Sequence, residues 1–189
     1  MVEEPVNKLI RLIQSDPRIM ASLAAVRALD LPASWVTAGF IRNRVWDHLH
    51  GYATPTPLND IDVIYFDPNQ LDPAFEKQCD QALSTRMPGL PFEVKNQARM
   101  AERNGDPPYR SIEDALEHWC ETPTAIGARL DQGDRILITA PLGLSDLFEM
   151  VARPTPFALA SPKKLDQYRN RMIKKNWPRT WPRVKVLNL

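Results

Sequence analysis

The chain has 189 residues, 43% hydrophobic and 25% charged, with a net charge of +1. That length reads as one domain with at most a small appendage, and the balance supports an ordinary buried core. It excludes a global basic field for nucleic acid.

No apolar run is long enough to span a membrane, and no secretory leader, repeat or low-complexity tract is read. Cys79 and Cys120 lie far apart without a C-x-x-C, which argues against a disulfide or zinc framework and for a reducing, cytoplasmic setting. Charge is uneven, however. From Lys163 onward there are nine Lys or Arg residues and one acid, Asp166. That stretch suits either a solvated basic helix or a polyanion such as RNA.

In chain order, residues 5–14 read as a short helix with Val6, Ile10 and Ile13 on one face and Lys8 and Arg11 outside. Asp16-Pro17 is a cap followed by proline at the first helical position. The helix it opens carries Ile19, Met20, Leu23 and Val26, and Leu31-Pro32 breaks the chain after it. Both helices are packing elements.

Trp35 to Ala38 is a short β run that Gly39 ends, and Phe40 to His50 has helical spacing. A strand, a glycine and a helix N-terminus together favour phosphate, because free amides and the positive end of the helix dipole face whatever sits there. Gly39, Phe40, Arg42 and Asn43 are the candidate phosphate-binding residues. An ordinary strand-to-helix turn with a solvated first turn is the plain alternative. The loop from Gly51 to Leu58 is rich in turn residues and belongs near the site entrance.

The stretch Asn59-Asp60-Ile61-Asp62-Val63-Ile64-Tyr65-Phe66-Asp67 then places Asp60 and Asp62 on one strand face, with Ile61, Val63 and Tyr65 on the other. Two adjacent carboxylates repel, and aspartate is a poor strand residue. A divalent cation, Mg2+ or Mn2+, would relieve the repulsion; a turn cap at Asp60 and an arginine partner for Asp62 would also account for the pair. Asp72-Pro73 caps a helix to about Met87 with Phe75, Cys79 and Leu83 inside.

Pro91 to Asn96 reads as a third strand, with Phe92 and Val94 facing one way and Glu93 and Lys95 the other. Asn96 is either the N-cap of the next segment or a group that reads a base or ribose. Ser111 opens a further helix. Asp131-Gln132-Gly133-Asp134 is a hairpin turn between two β-prone flanks, and Asp146 begins a short helix as its cap. Ser161-Pro162 opens the basic helix, which Leu165, Tyr168, Met172 and Ile173 stripe with apolar side chains, and Trp177 and Trp181 pin its end to the body.

Strand, glycine, helix, loop and a D-x-D strand in this order resemble the nucleotidyltransferase superfamily of the DNA polymerase β type. Two further stretches, Glu93-Val94-Lys95-Asn96-Gln97-Ala98-Arg99-Met100 and Ala140-Pro141-Leu142-Gly143-Leu144-Ser145-Asp146-Leu147-Phe148, are similar to a bacterial nucleotidyltransferase-like family first described as a domain of unknown function. The resemblance implies an α/β (α+β) polymerase β-like fold, with a mixed sheet of about five strands and flanking helices. It implies a core over 33–150, N-terminal helices over 1–32 and a basic helix and tail over 151–189.

The implied activity is transfer of a nucleoside monophosphate from an NTP to an unidentified acceptor hydroxyl. Asp60, Asp62 and Glu93 would be the metal-binding and catalytic carboxylates, with Lys95, Asn96, Gln97 and Arg99 beside the nucleotide. An ion pair with Lys95 is the other reading of Glu93. Family members carry Gly-Ser or Gly-Gly at the turn where this chain has Gly39-Phe40, so a catalytically weak or inactive nucleotide- or RNA-binding protein on the same fold is the alternative.

Overall fold

The structure, a computed structural model, describes residues 4–187; residues 1–3 and 188–189, read from sequence as part of the N-terminal helices and basic tail, lie outside the described residues. Two helices open the chain, α1 (Pro5–Gln14) and α2 (Pro17–Arg27). Asp16 caps α2 as expected, its carboxylate accepting from the amides of Arg18 and Ile19. The inner face of α1 is Leu9, Leu12 and Ile13, while Val6 stays exposed. The helix is therefore rotated from the expected stripe, so that the leucines meet the core.

β1 (Trp35–Thr37) leads into α3 (Gly39–His50), followed by β2 (Ile61–Tyr65), α4 (Pro73–Arg86), β3 (Phe92–Asn96) and α5 (Gln97–Asn104). Then come α6 (Ile112–Glu117), the hairpin of β4 (Gly127–Leu130) and β5 (Ile136–Thr139), and α7 (Ser145–Phe148). The five strands form one mixed sheet in the order β3-β2-β1-β4-β5. Only β2 and β3 run parallel, because α4 carries the chain back between them; the other pairs are antiparallel.

Alternation along β2 assigns the faces. Ile61, Val63 and Tyr65 join Val36, Val94 and Ala128 in the main core, which also holds α1 to α4 residues such as Ile19, Phe40, Trp46 and Leu83. The opposite face carries Trp35 and Ile64 against Ile112 and Leu116 of α6. That cover stops short of Asp60, Asp62 and Glu93, which lie on the same face where it is open.

The chain then runs through β6 (Val151–Ala152), α8 (Pro156–Leu159), α9 (Pro162–Lys175), α10 (Trp177–Thr180) and β7 (Lys185–Val186). β6 and β7 pair in parallel as a two-stranded clasp. Ser161 makes no side-chain cap bond. Asp146 does not cap α7 either; its carboxylate accepts from Thr122 and Arg153. Among the described residues, no helix is long and apolar enough to cross a membrane.

Trp177 and Trp181 do pin the end of α9. Each packs edge-on against the fully buried Trp46 of α3 with ring centroids 5.2 Å apart, contacts worth about 0.5–1.5 kcal/mol each beyond the area they bury. The Trp181 indole donates to Asp47 at 2.8 Å.

Candidate functional site

The strand-to-helix turn is one residue earlier than the sequence suggests. β1 ends at Thr37, Ala38 turns with φ 55° and ψ −127°, and Gly39 is already the first residue of α3. Positive φ on a residue bearing a Cβ costs of order 1–3 kcal/mol and concentrates at functional sites. Gly39 needs no such freedom: a Cβ there would meet Arg42 Nη2 and Leu58 Cδ2 at an ordinary 3.6 Å. Phe40 is only 1% exposed and belongs to the core, so its side chain is withdrawn from the candidate set. The Thr37 hydroxyl donates to the Asp62 carbonyl at 3.2 Å, locking the turn to the acidic strand.

The acids come next. Asp62 and Glu93 are register partners on parallel strands and share a face, as the sequence predicts. Glu93, however, is half exposed and pairs with Lys95 at 3.0 Å. Among the described residues, no three His, Cys, Asp or Glu side chains are placed to hold one metal ion. The three-carboxylate centre thus reduces to Asp60 and Asp62, with Glu93 and Lys95 forming an ion pair alongside. The Asp62 carboxyl is pushed up to about 6, first by burial, then by the charges of Asp60 and Glu93; Arg171 and Lys175 pull the other way. Such a carboxylate pair fits a hard divalent cation, because magnesium commonly takes one or two protein carboxylates and completes its shell with phosphate oxygens and water.

Two cavities meet at Ala38, Asp62 and Arg171. The smaller, about 210 Å³, lies over the start of α3 and is lined by Gly39, Arg42, Asn43, Asp60 and Lys175, with the loop before β2 at its rim. The larger, about 290 Å³, runs the other way, past Glu121, Asp106, Lys164, His118 and Trp119.

The wall common to both is α9. Lys164, Gln167, Arg171 and Lys175, spaced three and four apart, form one stripe of that helix facing the cleft. Its inner side is held by Tyr168 and Met172, both buried. Arg171 donates from Nε to both oxygens of Glu121 at 3.0 Å. Glu121 is 1% exposed and also accepts from the Thr124 hydroxyl at 2.9 Å. Burial works against the Arg171 charge, but Glu121 outweighs it and holds the guanidinium above its ordinary value. At the start of the helix, Lys164 pairs with Asp106 and donates to the Asn104 carbonyl.

Arg42 remains a site residue. Its guanidinium is 4.3 Å from the Trp177 ring centroid and 5.1 Å from that of Trp46, and Nη2 donates to Asn43 Oδ1 at 2.7 Å. Burial pulls it down to about 10, while Glu121, Asp62 and Asp60 oppose that. Its Nε has no hydrogen-bond partner among the described residues.

Asn96, Gln97 and Arg99 are corrected. Asn96 pairs in register with Tyr65, so it lies on the sheet face opposite Asp62. It caps α5 through the Ala98 amide and donates to the carbonyls of Asp67 and Gln70. Arg99 grips Glu76 of α4 through Nε at 3.1 Å and Nη2 at 2.6 Å. Gln97 is buried at the first position of α5 and lines neither cavity. Lys95 stays on the acidic face but is committed to Glu93.

Glu121, Asp106, Lys164, Arg171 and Lys175 were absent from the sequence-based candidates. The helical spacing of the last two was legible, but the cleft they face was not.

A family described as Nucleotidyltransferase matches residues 24–186. Among solved structures, one described as revealing a CCA-adding enzyme head domain superposes with a TM-score of 0.86 at 31% identity, covering 97% of this chain and 96% of its own. A CCA-adding enzyme in complex with CTP gives a TM-score of 0.59 at 15% identity, covering 98% of this chain and 44% of the enzyme. The Thermotoga maritima CCA-adding enzyme complexed with tRNA gives 0.56 at 18% identity, covering 97% and 42%. The last two likenesses establish the fold alone, and this chain spans under half of those enzymes. No protein of curated function matches the chain.

Proposed function

The chain belongs to this nucleotidyltransferase family, and from that premise we propose that it transfers a nucleoside monophosphate from an NTP to an acceptor hydroxyl, releasing pyrophosphate, with a divalent cation bound by Asp60 and Asp62. The observation that carries the reading is the position of Asp62, where two cavities meet beside the N-terminus of a twelve-residue helix. A Mg2+ or Mn2+ ion there would neutralise phosphate charge in the transition state.

The remaining work falls to the chain's own groups. The first amides of α3 have no partner within the helix, and with Ala38 and Gly39 lining the smaller cavity they would hold phosphate oxygens there. Arg42 and Lys175 add positive charge at the same place, and the rigidity of Arg42 between tryptophans keeps it there without reorganisation. Phe40 brings no hydroxyl to the turn, so backbone amides and Arg42 would take over that phosphate contact. Glu93, beside Asp62 and open to solvent, would accept the acceptor's proton once released from Lys95. The neighbours' complexes with CTP and with tRNA support a nucleotide in the cleft and make an RNA end one acceptor to test.

The test is incubation with each labelled NTP and a cell extract. Magnesium-dependent labelling of an acceptor, abolished in Asp62→Asn, is the expected result. A second reading follows from the Glu93–Lys95 pair: a protein that binds nucleotide without turning it over. It predicts nucleotide-dependent heat stability that ignores both magnesium and Asp62→Asn, with no labelled product.

A further inference from the structure

Resting on that nucleotidyl-transfer reading, we propose that Glu121 is a positioning residue for phosphate. Its buried carboxylate holds Arg171 side-on, so that the terminal nitrogens of that guanidinium are left to a phosphate group where the two cavities meet. Phosphate binding by itself does not call for an acid in the wall, because a negative charge repels the ligand. A buried carboxylate at this place is accounted for by the arginine it orders.

Glu121 is fixed before it meets Arg171. Its main chain bridges to Pro154, and the next amide, of Thr122, donates to the Arg153 carbonyl at 3.0 Å. The Thr124 hydroxyl donates to the Glu121 carbonyl at 3.0 Å and to Oε1 at 2.9 Å, which ties the side chain to its own backbone turn. At 1% exposure the carboxylate cannot swing out to solvent. Arg171 reaches it through Nε, 3.0 Å from each oxygen. A guanidinium carries five N–H donors in one rigid plane, so a grip through Nε leaves those of the terminal nitrogens for another ligand. Among the described residues the hydrogen bonds of this guanidinium all run through Nε, and Arg171 lines both cavities.

Arg42 gives a second reason for the acid. It lines the smaller cavity with Arg171, and the two like charges repel. Glu121 is the foremost of the charges that keep Arg42 ionised against burial, ahead of Asp62 and Asp60. One buried carboxylate therefore faces two arginines of one cavity. Arg42 is stacked on Trp177 and has no freedom to yield, so Arg171 is the side chain that would turn away if the carboxylate were neutralised. Lys175, one turn along α9, is exposed and supplies charge without a fixed direction.

The experiment measures binding of inorganic tripolyphosphate, with magnesium, to the full chain and to Glu121→Gln, Arg171→Lys and the double variant, with urea unfolding of each to report the fold. The direction of the change decides. Glu121→Gln removes a negative charge, so an acid that merely sits in the wall would give unchanged or tighter phosphate binding. A positioning acid gives the opposite: affinity should fall about tenfold, because the glutamine amide turns an N–H toward Nε and breaks the two-oxygen grip. Arg171→Lys keeps the charge but not the fork and should lose about as much. The losses should not add, the double variant staying within about twofold of either single one. Unchanged or tighter binding in a folded Glu121→Gln overturns the proposal, and so do additive losses. If Glu121→Gln does not fold, Arg171→Lys decides alone, since wild-type affinity there would show that charge without orientation suffices. A wild-type chain that binds no tripolyphosphate removes the phosphate cavity and the transferase reading with it; one that binds it beside indifferent variants removes the role of Glu121 alone.

Discussion

Asp62 and Glu93 are register partners on adjacent parallel strands, yet only Asp62 lines the cleft, because Glu93 is turned to Lys95 3.0 Å away. The consequence is an acid pair, Asp60 and Asp62, whose repulsion is countered by the charges of Arg171, Lys175 and Arg42.

The pH dependence of stability follows. The Asp62 carboxyl titrates near 6 in the folded chain against an ordinary 3.8. An acid raised in this way stabilises the fold fully below its unfolded value, and the contribution is lost as pH rises through 6. Against Asp62→Asn, the wild-type chain should lose on the order of 1–2 kcal/mol between pH 4 and pH 7. Magnesium should diminish that loss, because an ion bound to the ionised carboxylate brings the folded-state titration down toward the unfolded value. Urea midpoints of both proteins across this range check it, and a pH-independent difference would count against the placement.

Arg171 and Lys175 share one stripe but differ in cost. Removing Arg171 strands the buried Glu121 carboxylate, so Arg171→Ala should destabilise by about 3–5 kcal/mol. Lys175 is exposed, and Lys175→Ala should stay within about 0.5 kcal/mol while weakening tripolyphosphate binding. Thermal unfolding and binding measured on the same samples separate the two; equal stability losses would contradict the geometry.

Ala38 carries the backbone strain of the turn. Ala38→Gly should relieve it and raise stability by roughly 1 kcal/mol, the strain released less the added chain entropy. Gly39→Ser should leave the fold intact, since the added Cβ meets only ordinary contacts. Equilibrium unfolding decides both, and a destabilised Ala38→Gly would refute the strain.

Gly127 is the glycine with no room to spare. A Cβ there would lie 3.0 Å from Thr139 Cγ2, 3.1 Å from Thr37 Cγ2 and 3.2 Å from Trp35 Cβ. Gly127→Ala should therefore cost about 1–3 kcal/mol and disturb β1 beside the Ala38 turn, lowering stability and, on the proposed function, activity as well. A variant as stable as the wild type would show that β4 can shift freely.

Much of this protein was legible locally. The caps at Asp16, Asp72, Asn96 and Ser111, the alternation in β2 and β3, the hairpin at Asp131–Asp134 and the D-x-D pair are each decided by interactions within a few residues. Those signals gave the order of elements, and the order carried the family resemblance.

The rest was settled between residues far apart in the chain. Glu121 and Arg171 are 50 positions apart, Glu76 and Arg99 are 23, and Asp47 and Trp181 are 134. A lone charged residue in a sequence gives no sign of which opposite charge it will meet once helices pack. Arg99 was therefore assigned to the nucleotide and instead holds α4, while Arg171 was read as part of a solvated helix and stands at the junction of the cleft. Pattern along the chain fixed which faces are apolar; only the packing of α9 across the open face of the sheet chose which charges share the site.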